Sequence, residues 1–266
     1  MKIAVTGSEG KLGSWLVNKF GFTPLECNIL KPEEVKEVIN TVSPDVIIHT
    51  AALTDVEYCQ EHPKEAYEVN VHGTSNIVDV FTKGLLIYCS TVHVFSGNQY
   101  FSYSENHKPS PVNVYGFTKW AGEALASFGS QQTIVVRTSK LFDLAYLAHG
   151  IKLLQDGITQ DYPTFITRSF VYTPHFIQGL LKLIDLRETA PNIVNIAGNG
   201  AWSYYDFWGN VAIELGYDSS YIMPRTIDNG ELSRPKRGGL STDLAARMGL
   251  LIYSAVDGIK AIKEIM

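Results

Sequence analysis

Cysteine is scarce, and no run of one charge or of apolar residues stands out. Cys27, Cys59 and Cys89 are the three cysteines of the chain. An odd number without CxxC spacing argues against a disulfide framework and a thiolate metal cluster. Reduced, mostly buried thiols are expected, and no metal. There is no long Lys/Arg cluster, and 22 basic against 27 acidic residues give a net charge of −5. That leaves no electrostatic footprint for nucleic acid. The short Arg234-Pro235-Lys236-Arg237 reads as a solvated loop or as a clamp for one anionic ligand. No apolar run approaches the ~20 residues that cross a bilayer, so no membrane partner is expected. The strand-like Lys2-Ile3-Ala4-Val5-Thr6 leaves no room for a secretory signal, which makes the cytoplasm the expected location. Low-complexity linkers and repeats of solenoid length are also missing.

What is present is an ordinary globular composition: 266 residues, 45% apolar and 18% charged, enough chain to bury a large core without crosslinks. Over the first 140 residues short apolar runs alternate with helical patterns, which predicts βαβ units around a parallel sheet. The strands are Ile3-Ala4-Val5, Val46-Ile47-Ile48, Leu85 to Cys89 and Ile134-Val135-Val136. They are apolar without alternation, as strands covered on both faces are. Helices are expected near 11–20, 32–42, 63–82 and 113–129, with Pro32 and Pro63 in tolerated first-turn positions. Further on, helices are expected near 144–156, 174–186, 203–215 and 255–264, and a strand at 193–196. The fold class is α/β: a Rossmann-type doubly wound parallel sheet over 1–140, then a smaller C-terminal substrate-binding lobe over 141–266. The segment near 165–197 is expected to return to the core.

Thr6-Gly7-Ser8-Glu9-Gly10-Lys11-Leu12-Gly13 follows the first strand and opens the first helix. Gly7 permits the tight turn, Gly10 lets backbone approach a pyrophosphate, and Gly13 allows close helix packing. Free N–H groups at the helix start favour the anion. The expected cofactor is a nicotinamide dinucleotide. The second strand is cut short, with Glu26 a candidate for ribose hydroxyls, and the choice between NADPH and NADH stays open.

Tyr115-Gly116-Phe117-Thr118-Lys119 places a tyrosine and a lysine on one helix face, and Cys89-Ser90-Thr91 ends a strand. Together these make Tyr115 a candidate general acid, with Lys119 on the nicotinamide ribose and the Thr91 hydroxyl fixing a carbonyl oxygen. A neighbouring ammonium and an oxidised nicotinamide ring are expected to lower the Tyr115 pKa.

The combination resembles the short-chain dehydrogenase/reductase superfamily. The blocks Pro44 to Val56, Ala66-Tyr67-Glu68-Val69-Asn70, Asn113-Val114-Tyr115-Gly116, Arg137-Thr138-Ser139, Asn195 to Gly200 and Arg234-Pro235 are similar to those of the dTDP-4-dehydrorhamnose reductase family. The resemblance implies NAD(P)H-dependent reduction of the 4-keto group of a nucleotide-linked deoxysugar, in deoxysugar and polysaccharide biosynthesis. It implies a catalytic triad of Thr91, Tyr115 and Lys119. Cofactor contacts would come from Gly7, Gly10, Lys11, Leu12, Gly13, Asn28, Ile29, Ala51, Ala52, Tyr115 and Lys119. Thr54 and Val56 would border the sugar. His93, Lys140 and Arg234 are further substrate-binding candidates, Arg234 for phosphates. The chain departs from the family pattern at Val92-His93, which replace an acid and a tyrosine, at Lys140, which replaces a tryptophan, at His175, which replaces an aspartate, and at Asn28. The family also contains a non-catalytic regulatory subunit of methionine adenosyltransferase. That reading, and an epimerase or dehydratase on the same core, are the alternatives, and a homodimer is an assembly open to the chain.

Overall fold

The computed structural model describes residues 1–129, 131–226 and 234–266. They divide into two compact units. The first takes in Met1–Val94, Pro109–Arg137 and Leu181–Val194; the second takes in Phe95–Lys108, Thr138–Leu180 and Asn195–Met266.

In the first unit, β1 (Ile3–Thr6) leads into α1 (Lys11–Phe20), β2 (Thr23–Pro24) into α2 (Pro32–Val42), and β3 (Val46–His49) into α3 (Val56–Glu61) and α4 (Pro63–Tyr67). A π-helical turn, Glu68–His72, joins α4 to α5 (Gly73–Val80). There follow β4 (Leu85–Thr91), a 3-10 turn at Val92–Val94, α6 (Val114–Phe128) and β5 (Gln132–Thr138). The sheet runs β2, β1, β3, β4, β5 and then Ile193–Asn195. β1 pairs in parallel with both β2 and β3, and β3 with β4. Ala4, Ile47, Leu86 and Val135 of these strands are buried with Val35, Ile39 and Ile77 of the helices. Val5, Ile48, Ile87 and Val136, which alternate with them and point to the opposite face, are also 0% exposed, and this cover on both sides explains the unbroken apolar runs in the sequence.

Chain order reverses between β1 and β3. In an open α/β sheet that reversal opens a crevice outside the carboxyl ends of the strands, where ligands bind. It also sets the loop after β1 against the segment after β3. Gly7 adopts φ +67°, and a Cβ there would fall 2.7 Å from the Ala51 Cα; at Gly13 it would fall 2.0 Å from the Gly7 carbonyl oxygen. No side chain larger than hydrogen fits at either position without moving backbone.

Each expected helical segment is helical, but two short helices, Val56–Glu61 and Asp243–Arg247, lie outside the expected segments, being too short to show a period, and one expected helix is divided. The pattern over 63–82 is a single stripe, whereas the structure splits it into α4, the π turn and α5. The wide turn carries Asn70, whose buried side chain holds a neighbouring loop (below), a polar job that a run of apolar spacings does not reveal.

The second unit is built from short strands. Lys140–Phe142 pairs in parallel with Phe170–Tyr172, and Gln160–Pro163 with Ile222–Arg225. Thr167–Arg168 lies between Trp202–Ser203 and Arg237–Gly238. The helices Leu144–Gln155, Tyr204–Leu215 and Ala255–Lys263 close over an aromatic core in which Phe170 stacks on Phe207 at 3.9 Å. Among the described residues, no helix is long and apolar enough to cross a membrane.

Candidate active site

Thr91 ends β4, and the chain turns at once through Val92–Val94. The His93 backbone N–H donates to Thr91 Oγ1 at 3.2 Å. α6 starts at Asn113, whose Oδ1 accepts the Gly116 N–H at 2.7 Å, an N-cap worth about 1 kcal/mol. This cap fixes the first turn of α6, and with it Tyr115.

Tyr115 is buried against Val56, Cys59 and Ala66. The His93 ring meets it edge-on, centroids 5.4 Å apart, and His93 Nδ1 accepts from the Asn113 amide at 3.3 Å. Burial pushes the Tyr115 phenol up to about 12, against a hydrogen bond with Thr91 that pulls it down. Lys119 is not among the influences on Tyr115 in the protein alone; the Thr91 hydrogen bond is what lowers it, and removing the hydroxyl from water outweighs that bond. Tyr115 therefore keeps its proton at neutral pH, as a proton donor must. Lys119, one turn along, is 3% exposed, and burial pushes its ammonium down to about 8.

Asn70, His49 and Tyr88 line this region without having been singled out in the sequence. Asn70 Oδ1 accepts the Leu53 N–H at 2.8 Å, and its Nδ2 donates to Leu53 O at 3.0 Å and to Thr118 Oγ1 at 2.9 Å. It thereby fastens the segment after β3 to α6. His49 bridges Thr6 Oγ1 through Nδ1 at 2.6 Å and Thr74 Oγ1 through Nε2 at 3.0 Å. Thr74 already donates to Asn70 O, so Nε2 carries the proton and Nδ1 accepts. The signal for Asn70 and His49 was their place inside blocks that resemble a known family; nothing in their spacing marks them.

Arg137, 2% exposed, makes two hydrogen bonds to Glu123, 2.9 Å from Nε and 2.7 Å from Nη2, and Ser90 donates to the same carboxylate at 2.5 Å. The pair anchors α6 to β5 beside Thr91. Arg137→Met would strand a buried carboxylate and is expected to cost about 3 kcal/mol in urea unfolding. The double change Arg137→Met/Glu123→Leu should recover most of that loss.

The remaining candidates are dispersed. Gly10 is the N-cap of α1, with Lys11, Leu12 and Gly13 in its first turn. That end has neither a capping side chain nor an acidic residue in the first turn. These are the conditions under which backbone N–H groups accept a phosphate, so a dinucleotide fits the loop. Ala51 and Ala52 are half-buried and Thr54 is exposed, while buried Val56 backs Tyr115. Asn28 is exposed and accepts the Leu30 N–H through Oδ1, and Ile29 is buried. In the second unit, the Lys140 ammonium lies 4.5 Å from the centre of the Tyr146 ring. Arg168 is 3% exposed and donates to Thr167 O and Pro235 O; burial holds its pKa below the usual arginine range, as does the charge of Arg234. Arg168 was not picked out in the sequence, where it is one basic residue in a short mixed segment. Among the described residues, no group of three or more His, Cys, Asp or Glu side chains could hold a metal ion.

The model of the RmlD substrate binding domain family matches residues 1–257. The chain belongs to that family. The match agrees with the resemblance read from the sequence blocks. Among curated relatives, a dTDP-4-dehydrorhamnose reductase of Escherichia coli (strain K12) is 32% identical over 80% of this chain and 76% of its own. The methionine adenosyltransferase 2 subunit beta of Danio rerio is 33% identical, over 95% and 86%. A solved dTDP-4-dehydrorhamnose reductase of Bacillus anthracis, in complex with NADP, superposes with a TM-score of 0.90 at 24% identity, covering 100% of both chains. That likeness is one of fold.

Proposed function

We propose that this family member reduces the 4-keto group of a nucleotide-linked deoxysugar, dTDP-4-dehydrorhamnose or a close relative, with NADPH or NADH. The observation that carries the reading is the set Thr91, Tyr115 and Lys119 at the carboxyl edge of the sheet that also bears the glycine loop. The Gly7–Gly13 segment and the start of α1 would hold the pyrophosphate, with Ala51 and Ala52 beside the nicotinamide. When bound, the dihydronicotinamide supplies the hydride for the carbonyl carbon.

The protein's own part is acid catalysis and positioning. Thr91 Oγ1 and Tyr115 Oη fix the carbonyl oxygen between them, which orients the carbon for attack. Tyr115 releases its proton to that oxygen as negative charge develops on it, a contribution of about 10² to 10⁴ in rate. Lys119 stabilises the phenolate left behind and binds ribose hydroxyls. In the second unit the charge of Arg234 contributes to lowering the Arg168 pKa. A diphosphate would relieve that repulsion through charge-assisted hydrogen bonds, and this is the role assigned to the pair. In the first unit His93, Thr54 and Val56 are assigned to the sugar side, and a soluble, cytoplasmic setting goes with such a substrate.

A second reading has one observation behind it, the 33% identity to a methionine adenosyltransferase beta subunit. In that case the dinucleotide would serve binding alone. The test is consumption of NADPH or NADH when the purified protein meets freshly generated dTDP-4-dehydrorhamnose. Turnover supports the reductase; cofactor binding without turnover supports a regulatory subunit.

A further inference from the structure

Lys119 poses a physical problem. It is a nearly fully buried ammonium, and among the described residues no carboxylate pairs with it. Glu123, one turn further along α6, is committed to Arg137 and Ser90. What lies against the ammonium is the face of the Tyr88 ring, with Nζ 4.1 Å from the ring centre. A cation over an aromatic face is attracted by the ring quadrupole, and more strongly where water is excluded.

Tyr88 is held rigidly for this. It is 0% exposed on β4, and its hydroxyl donates to the Lys119 carbonyl oxygen at 3.3 Å. α6 approaches so closely that a Cβ at Gly122 would sit 2.1 Å from the Tyr88 hydroxyl. The hydroxyl end of the ring is thereby packed against the helix that carries the lysine. The His49 ring is tilted against that of Tyr88, centroids 5.7 Å apart.

We propose that Tyr88 is a positioning residue for Lys119: its ring face is the seat of the ammonium and its hydroxyl fixes the backbone that carries it. The proposal rests on the reading of Lys119 as a working group of the reductase. The titratable groups around the ammonium are His49 from β3, Tyr88 and Cys89 from β4, and Tyr115 and Glu123 from α6. Neutral His49 adds no charge, and Tyr115 and Cys89 stay protonated at neutral pH. The ring quadrupole and the distant half of the Glu123–Arg137 pair are then what opposes the desolvation of the charge.

The test keeps the shape of the ring and drains its quadrupole. Position 88 is filled in turn by phenylalanine (Tyr88→Phe) and by its di-, tri- and pentafluoro derivatives through amber suppression. Lys119 is followed by NMR of isotope-labelled lysine side chains, with Lys119→Met as the assignment control. Tyr88→Phe should leave the Lys119 titration midpoint within a few tenths of a unit. The fluorinated series should lower it stepwise, by about one pH unit in total. The upper limb of the kcat/KM profile should move with it. A midpoint unchanged across the series, in variants with unchanged thermal unfolding, overturns the proposal. So does a full shift already present in Tyr88→Phe. If the midpoint moves as expected but no substrate turns over, the seat stands and the reductase reading fails.

Discussion

Tyr115→Phe is expected to lower kcat with the keto sugar by about a thousandfold, within the range that a lost general acid gives, while changing cofactor affinity less than about threefold. The change removes one oxygen from a buried ring, so packing against Val56, Cys59 and Ala66 is retained. Thr91 keeps its contact with the His93 backbone. Because Tyr115 is held at about 12 by burial, its proton is present throughout the neutral range, and the rate should not fall for want of it as pH rises above neutrality. Stopped-flow absorbance for the chemical step, with cofactor fluorescence for binding, separates the two effects. An equal loss of both would mean that Tyr115 is structural.

The second large effect is on stability in acid. Burial, helped by the nearby Lys119 charge, lowers the His49 pKa from 6.5 to about 3. A histidine with a depressed pKa takes up its proton in the unfolded chain first. Between pH 6.5 and about 3 the unfolded state therefore binds more protons, and stability falls as pH falls through that window. At about 1.4 kcal/mol per pH unit the whole window is worth roughly 4–5 kcal/mol. His49→Asn keeps a polar atom where Nδ1 meets Thr6 and does not titrate. It should lose some stability at neutral pH, yet show an acid limb flatter by about 3 kcal/mol at around pH 4.5 in urea unfolding. Parallel acid limbs for the two proteins would show that His49 is protonated while folded.

The parts of the molecule legible in the sequence are those governed by local rules. β1, β3, β4 and β5 are continuous apolar runs because helices cover both faces. The Gly7–Gly13 loop is marked by contacts that no Cβ would survive, and Tyr115 and Lys119 are one helical turn apart. What escaped depends on partners distant in sequence. His49 reads as one more strand residue until Thr6 and Thr74 flank it. Tyr88 reads as core until Lys119 lies on its face. Arg168 acquires meaning only beside Arg234. The expected lowering of the Tyr115 pKa joins an ammonium to an oxidised nicotinamide ring; in the protein alone burial raises it, a desolvation that spacing does not show. The paired segments of the second unit, several only two residues long, carry too few side chains for any period.

The reductase reading is tested most directly by following the transferred hydrogen. The protein would be incubated with dTDP-4-dehydrorhamnose and NADPH carrying deuterium at the nicotinamide C4, using each stereoisomer in turn. One isomer should deliver a single deuterium to the sugar C4, seen by NMR of the product, with the oxidised cofactor formed in equal amount. Cofactor that binds and keeps its deuterium in both cases, with the sugar unchanged, would contradict a reductase and leave a dinucleotide-binding subunit.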